Sequence, residues 1–445
     1  MRPTRSAFLF CAAWLLLLAP PVLALPFEVE TFRPSPEHPL LLLAPREASR
    51  STLTIVFDVG AVDDNFENGL TRVSQQSLLH ANARTTYEKL ALSLYKSAAT
   101  LELRTGLHES RFTLTAPPEE FDALARTLLT ALLSPKFEPR RFKDAVERTQ
   151  RDERPLDQDN WLEMLLTHAL LEDQRYRDPH LGSVKKIEDL EPQRVRQYLS
   201  LWLAPRNATL IATGRFDAQA LRKLVEGFHG GVPRRLAPPK LSLPFERKVP
   251  AGREVQVFAY PLRIESAHHA AAARVLASLL EERLYNRFRS AGVGYGFSST
   301  PVLTPALDVF ALILPASERS GLDLGRFLRE EVLAVGEGKL TPGSFERHQQ
   351  ATLHRLRLAD GDPLQVAEEL RLARHRPGWY GADLPAAIES LTPAALSEVA
   401  SGWFKDESAI HIHFFIPPPP PKKVPKDKDS EDEDSADEDD EKDSK

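Results

Sequence analysis

The pattern of apolar and polar positions divides the chain into two stretches with the same order of elements. In the first, an apolar-rich run predicts a strand over 52–59, and three- and four-residue spacing predicts helices over 69–82 and 87–98. Strict alternation over 100–105 and 109–115 predicts two further strands. Helices are expected over 118–133, 138–153, 160–171 and 192–203, then a strand over 208–213 and a helix over 218–228. The second stretch opens with a strand over 254–260 and a helix over 268–283. Strands over 294–300 and 307–314 follow, then helices over 322–335, 341–358, 363–373 and 393–404, and a closing strand over 409–416. Opening strands at 52 and 254, and late strands at 208 and 409, are each separated by about 200 residues, the mark of a duplicated unit. Strands kept apart from runs of helices predict an α+β fold: two tandem homologous halves, each a mostly antiparallel sheet packed with helices.

Composition sets the boundaries of these halves. Residues 1–24 carry Arg2 and Arg5 ahead of an apolar run too short to cross a membrane, with small residues before Leu25; this is the layout of a cleaved secretory signal peptide. The expectation is a secreted chain, in a bacterial periplasm, with no stable membrane span after cleavage. The first α+β domain then runs over 25–229 and the second over 251–416, joined by a stiff Pro-rich linker over 230–250. Residues 417–445 form a polyproline and acidic tail that cannot bury enough apolar surface to fold. Cys11 is the one cysteine and lies in the signal peptide, so disulfides, thiolate metal sites and a cysteine nucleophile are excluded from the mature chain. Residues 422–445 contain twelve acidic and six basic side chains, which accounts for the whole net charge of −6. The body before the tail is neutral and gives no basic face for nucleic acid.

The segment 69–79, GLTRVSQQSLL, follows a strand and the acidic turn Asp63-Asp64-Asn65 and begins a helix. This order resembles the opening of the pitrilysin/insulinase family of zinc metallopeptidases, whose active members carry His-x-x-Glu-His here. That chemistry needs two histidines one helical turn apart to hold zinc and a glutamate to activate the bound water. The ligand positions in this chain are Arg72 and Gln76, and the base position is Gln75. Arginine has no lone pair to offer, and a glutamine amide is a poor ligand and no base. The family's third ligand, a glutamate on a later helix carrying Glu-Arg, falls near Glu147-Arg148, with Glu153 the nearest match. The resemblance therefore implies no catalytic residue and no metal ligand set on this chain. Other histidines leave two alternatives open: His80 one turn beyond Gln76, and His411 with His413 on one face of the last strand. No Gly-x-Ser-x-Gly elbow occurs, and Gly336-Glu337-Gly338-Lys339 lacks the spacing of a phosphate loop.

The rest of the chain fits the same family. The segment 178–182, DPHLG, resembles its His-Pro-x-Gly turn, and 203–210, LAPRNATL, its entry into a strand, where Asn207 also starts a glycosylation sequon better read as structural. The segment 284–295, LYNRFRSAGVGY, resembles the family's Arg/Tyr segment, with Arg289 and Tyr295 in register and Ser290 where glutamate is usual. In active members that pair binds the substrate backbone and the tetrahedral intermediate, work suited to an arginine and a phenol facing a carbonyl oxygen that gains charge. The resemblance implies a non-catalytic, substrate-binding subunit that is no enzyme on its own. Zinc is expected on a partner subunit bearing His-x-x-Glu-His, the two closing like a clamshell around unfolded peptide. A stand-alone structural or peptide-binding pseudopeptidase is the alternative.

Overall fold

The computed structural model describes residues 28–417 apart from 152–156, 179–180, 235–240, 242–244, 252–253, 291–296, 316–323, 342 and 377. Strands β1 (Glu30–Phe32), β2 (Leu40–Pro45) and β3 (Ser51–Phe57) open the first half. Helices α1 (Leu70–His80) and α2 (Tyr87–Lys96) lead to β4 (Thr100–Thr105) and β5 (Ser110–Ala116). Then come α3 (Pro118–Leu133), α4 (Phe142–Arg151), α5 (Asp157–Leu170), α6 (Pro192–Leu201), β6 (Ala208–Gly214) and α7 (Ala218–Val225). The second half consists of β7 (Phe245–Pro250), β8 (Val255–Pro261), α8 (Ala267–Ser290), β9 (Ser298–Leu303), β10 (Asp308–Pro315), α9 (Leu324–Gly336), α10 (Ser344–Asp360), α11 (Pro363–Ala373), α12 (Asp383–Ser390), α13 (Pro393–Trp403) and β11 (Ile410–Phe415).

Each half builds one sheet, and the two sheets share a topology. The first runs β1-β2-β6-β3-β5-β4 and the second β7-β11-β8-β10-β9. In both, one parallel pair (β2 with β6, β7 with β11) sits at the same place, and the remaining shared ladders are antiparallel. The duplication read from element order is thus a duplication of strand order, with β1 as an extra edge in the first half. Phe245–Pro250, the end of the expected linker, is taken up as strand β7. Its proline is tolerated because β7 is an edge strand with one side free of ladder bonds.

β2 is absent from the periodicity reading because its sequence, LLLLAP, does not alternate. It is apolar on both faces since both are covered. Leu41 and Leu43 pack with the helices of their own half, while Leu42 and Ala44 join the core of the second half. The central strands β3 and β6 are buried throughout for the same reason. The cover on the far face is α11, whose Val366, Ala367 and Leu370 lie in the core shared with Val56 and Ile211. The exchange is reciprocal: Leu166, Ala169 and Leu170 of α5 pack on Val257, Ala259, Ile410 and Phe414 of the second sheet. Each fully buried Leu or Val in such a seam contributes about 1.5–3 kcal/mol.

Charged groups tighten the seam. Arg371 of α11 donates to Glu109 at 2.8 Å, and Arg374, nearly fully buried, reaches both Glu109 and Asp58, the latter at 3.0 Å. Burial alone would raise the Glu109 carboxyl, but the two guanidiniums outweigh it and hold the group well below the usual carboxylate range. Arg46 pairs with Asp360, which also accepts from the Tyr380 hydroxyl at 3.1 Å.

Candidate functional site

The turn into α1 is held by one carboxylate. Asn65 and Phe66 adopt left-handed φ values of 48° and 71°, which folds the chain back so that Asp64 faces the start of the helix. Asp64 accepts from the backbone N–H groups of Gly69 at 2.9 Å and Thr71 at 2.7 Å, and from the Thr71 hydroxyl at 2.5 Å. It thereby satisfies donors that a helix start leaves open. Burial pushes Asp64 up to about 7 against these donors. Gly69 has φ +88°, and a Cβ there would lie 2.4 Å from Ile187 Cγ2, so only glycine fits at the helix entry.

Beyond this turn α1 packs against α3, α4 and α6 and is buried from Leu70 to Leu79. Arg72 is 8 % exposed and points its Nη1 at the Gly182 carbonyl, 3.5 Å away. Gln75 is 2 % exposed and its amide is fully engaged. Its Nε2 donates to the carbonyls of Arg104 at 3.1 Å and Arg111 at 2.9 Å, and its Oε1 accepts from Thr105 Oγ1 at 2.5 Å. Arg104 and Arg111 are cross-strand partners, so Gln75 pins β4 to β5 beside their turn. Gln76 instead faces a cavity of 260 Å³ bordered by His80, Tyr87, Arg148 and Arg151 among others. The His80 ring lies 4.1 Å from that of Tyr87, and burial, with Arg148 adding to it, lowers its pKa to about 4.

These side chains do not fit a zinc ion. Arg72 is a cation, both amide protons of Gln75 are spent on backbone carbonyls, and α4 brings two more guanidiniums toward Gln76. Among the described residues no three His, Cys, Asp or Glu side chains are grouped as metal ligands. Glu153 lies outside the described residues. His411 stacks on Phe258 at 4.1 Å between ring centres and bonds the Gln256 side chain at 3.3 Å. Asn207, the sequon residue, donates to the carbonyls of Trp202 and Val232 and is buried at the entry to β6.

On the second half, α8 packs against α9, α10, α12 and α13, so its C-terminal end and α1 belong to separate helical layers. Its arginines differ in a way the sequence does not reveal. Arg274 is held by Glu369 and lies over the Trp379 ring at 4.2 Å. Arg283 pairs with Glu331 at 2.8 Å, and Arg287 reaches Glu330 at 3.4 Å and the Phe327 ring at 4.9 Å. Arg289, in the last turn, is exposed and makes no hydrogen bond or ion pair with a described residue. Tyr295 lies outside the described residues. The seam ions, Asp58, Glu109, Arg371 and Arg374, are not marked out by the sequence. The one trace they leave is the arginine-rich run 371–376, RLARHR, at the end of a helix.

Comparison with known proteins places this geometry. Residues 189–352 match the family described as the Peptidase M16 inactive domain. The search of curated proteins found no match. Among solved structures, a protease from Helicobacter pylori superposes with a TM-score of 0.69 at 13 % identity, covering 88 % of this chain and 99 % of its own. A peptidase M16 inactive domain from Pseudomonas fluorescens gives 0.67 at 14 %, covering 88 % and 98 %. The periplasmic protease PqqL from Escherichia coli gives 0.65 at 15 %; 87 % of this chain matches 47 % of that one. The two-half α+β fold is thus similar to that of these M16-like structures, residues 189–352 match the inactive-domain family, and the sequence carries no His-x-x-Glu-His motif.

Proposed function

We infer that this chain is the non-catalytic, substrate-binding subunit of a two-subunit zinc metallopeptidase, with the metal on the partner. The observation that carries this reading is Arg289. Of the four arginines on α8 it alone lacks a partner among the described residues, at the solvent end of the helix. An exposed guanidinium there is available to a peptide carbonyl, and its charge stabilises the oxyanion that forms when partner-bound water attacks. Tyr295, six residues on, supplies a second donor in this scheme. The match to an inactive domain and the filled, metal-incompatible α1 support the division of labour. Export to the periplasm accords with the signal-like residues 1–24 and with PqqL, described as periplasmic. No helix among the described residues is long and apolar enough to cross a membrane.

The test is reconstitution. The purified chain alone should neither hold stoichiometric zinc nor cleave unfolded peptide, and mixing it with a subunit bearing His-x-x-Glu-His should produce activity. Arg289→Ala should lower the reconstituted rate by roughly 100- to 1000-fold, the usual effect of removing one oxyanion donor. Tyr295→Phe should lower it as well. Undiminished rates in both variants would sink the assignment and favour a stand-alone peptide-binding module.

A further inference from the structure

The cavity beside α1 is not explained by the loss of a metal. A vacated site with no use is expected to fill with apolar side chains or to close its polar groups on one another. Gln75, one residue earlier, has done the latter. Gln76 has not: it is 8 % exposed, lines the 260 Å³ cavity, and its amide makes no hydrogen bond with a described residue. Arg148, on the opposing α4, also makes no ion pair among the described residues. The other charges at the rim are spoken for: Arg151 pairs with Glu147 at 3.3 Å, and Glu102 turns to Arg104 at 3.8 Å. Leu79, Leu101 and Leu103 form apolar walls, and the rings of His80 and Tyr87 close one side.

The geometry points to a carboxylate-binding pocket, in which Arg148 takes the charge, the Gln76 amide donates a hydrogen bond, and the leucine walls receive a short apolar stem. A single guanidinium with no ion pair among the described residues matches a planar monoanion, which it can grip with two parallel N–H groups. A doubly charged phosphate would leave a charge uncompensated. The volume lies below the roughly 300–1,000 Å³ of pockets that enclose drug-sized ligands, and suits a terminal group in place of a whole cofactor. The Gln76 amide, with no hydrogen bond to a described residue, and the exposed Arg148, with no ion pair among the described residues, are both open to an acceptor that a ligand brings. The carboxylate can come from the C-terminus of a peptide or from an Asp or Glu side chain. This site needs no partner subunit and does not depend on the role given to Arg289.

The experiment uses the full chain alone and three fluorescent hexapeptides of apolar sequence: one with a free C-terminal carboxylate, one amidated, and one amidated with a central glutamate. Anisotropy should show binding of the first or the third, which identifies the source of the carboxylate, and at least 10-fold weaker binding of the second. Arg148→Glu should weaken the favoured peptide at least 10-fold, and Gln76→Leu by roughly 3- to 10-fold. Lys143→Glu on the same helix should leave affinity unchanged. Equal binding of all three peptides, or equal losses in Arg148→Glu and Lys143→Glu, would overturn the proposal, the second by reducing it to general charge attraction.

Discussion

The helices that follow the third strand of each sheet's common core, α1 in the first half and α8 in the second, have solved opposite problems. α1 is eleven residues long and buried through Leu79, and two of the polar side chains on it, Arg72 and Gln75, are turned onto backbone carbonyls. α8 is 24 residues long, is anchored to its own half by ion pairs at Arg274, Arg283 and Arg287, and ends with Arg289 exposed and without a partner among the described residues. One half has turned the polar side chains of its helix onto the fold, and the other presents a charged group outward. The difference separates residues whose loss should cost stability from those whose loss should cost only function.

The largest expected effect lies at the seam between the halves. Glu109→Ala strands Arg371 and Arg374 in a buried setting and should destabilise the chain by about 3–5 kcal/mol in chemical denaturation. Next is Gln75→Ala, which removes three hydrogen bonds holding α1 to β4 and β5; about 1–3 kcal/mol should be lost. A loss within experimental error there would break the claim that Gln75 is a structural residue. Glu163 gives a pH-dependent contrast on α5. Burial, with Glu109 adding to it, pushes its carboxyl up to about 7, with Arg371 and Arg376 opposing, while burial lowers the neighbouring His108 to about 3. The raised value means that the folded state favours the protonated acid, so the stability Glu163 gives is complete below its ordinary value of 4.5 and is lost as pH rises through 7. Glu163→Gln should therefore melt above the parent at pH 8 and converge with it below pH 4.5. The smallest effect is expected at Arg289: as an exposed side chain with no partner among the described residues, its replacement by alanine should change stability by less than about 0.5 kcal/mol. A larger change would show that the helix end is held by that arginine and undo the contrast with α1.

Much of the fold was legible because its strands alternate and its helices carry proline or polar caps at their starts. Helix α3 begins at Pro118 and α11 at Pro363 as the sequence reading has it. β2 was not legible, since a strand covered on both faces loses the period of two that marks a half-exposed one. α12 was missed too, its eight residues being too few to show a helical repeat. At the site, the resemblance pointed to Arg72, Gln75 and Gln76, but the sequence does not say where each side chain goes. Nothing in the letters says that Gln75 is spent on the strands while the adjacent Gln76 looks into open space. Nor does sequence separate Arg289 from Arg287, because what distinguishes them is the acidic partners on α9, some forty residues away.

The reciprocal crossing of α5 and α11 bears on motion. Each helix is the floor of the other half's sheet, and sliding either sheet would tear a continuous apolar layer and several buried ion pairs at once. The relative orientation of the two sheets is therefore a fixed property of the chain. In the two-subunit reading proposed above, the opening and closing that admits a peptide takes place between the subunits, with this chain moving as one stiff jaw.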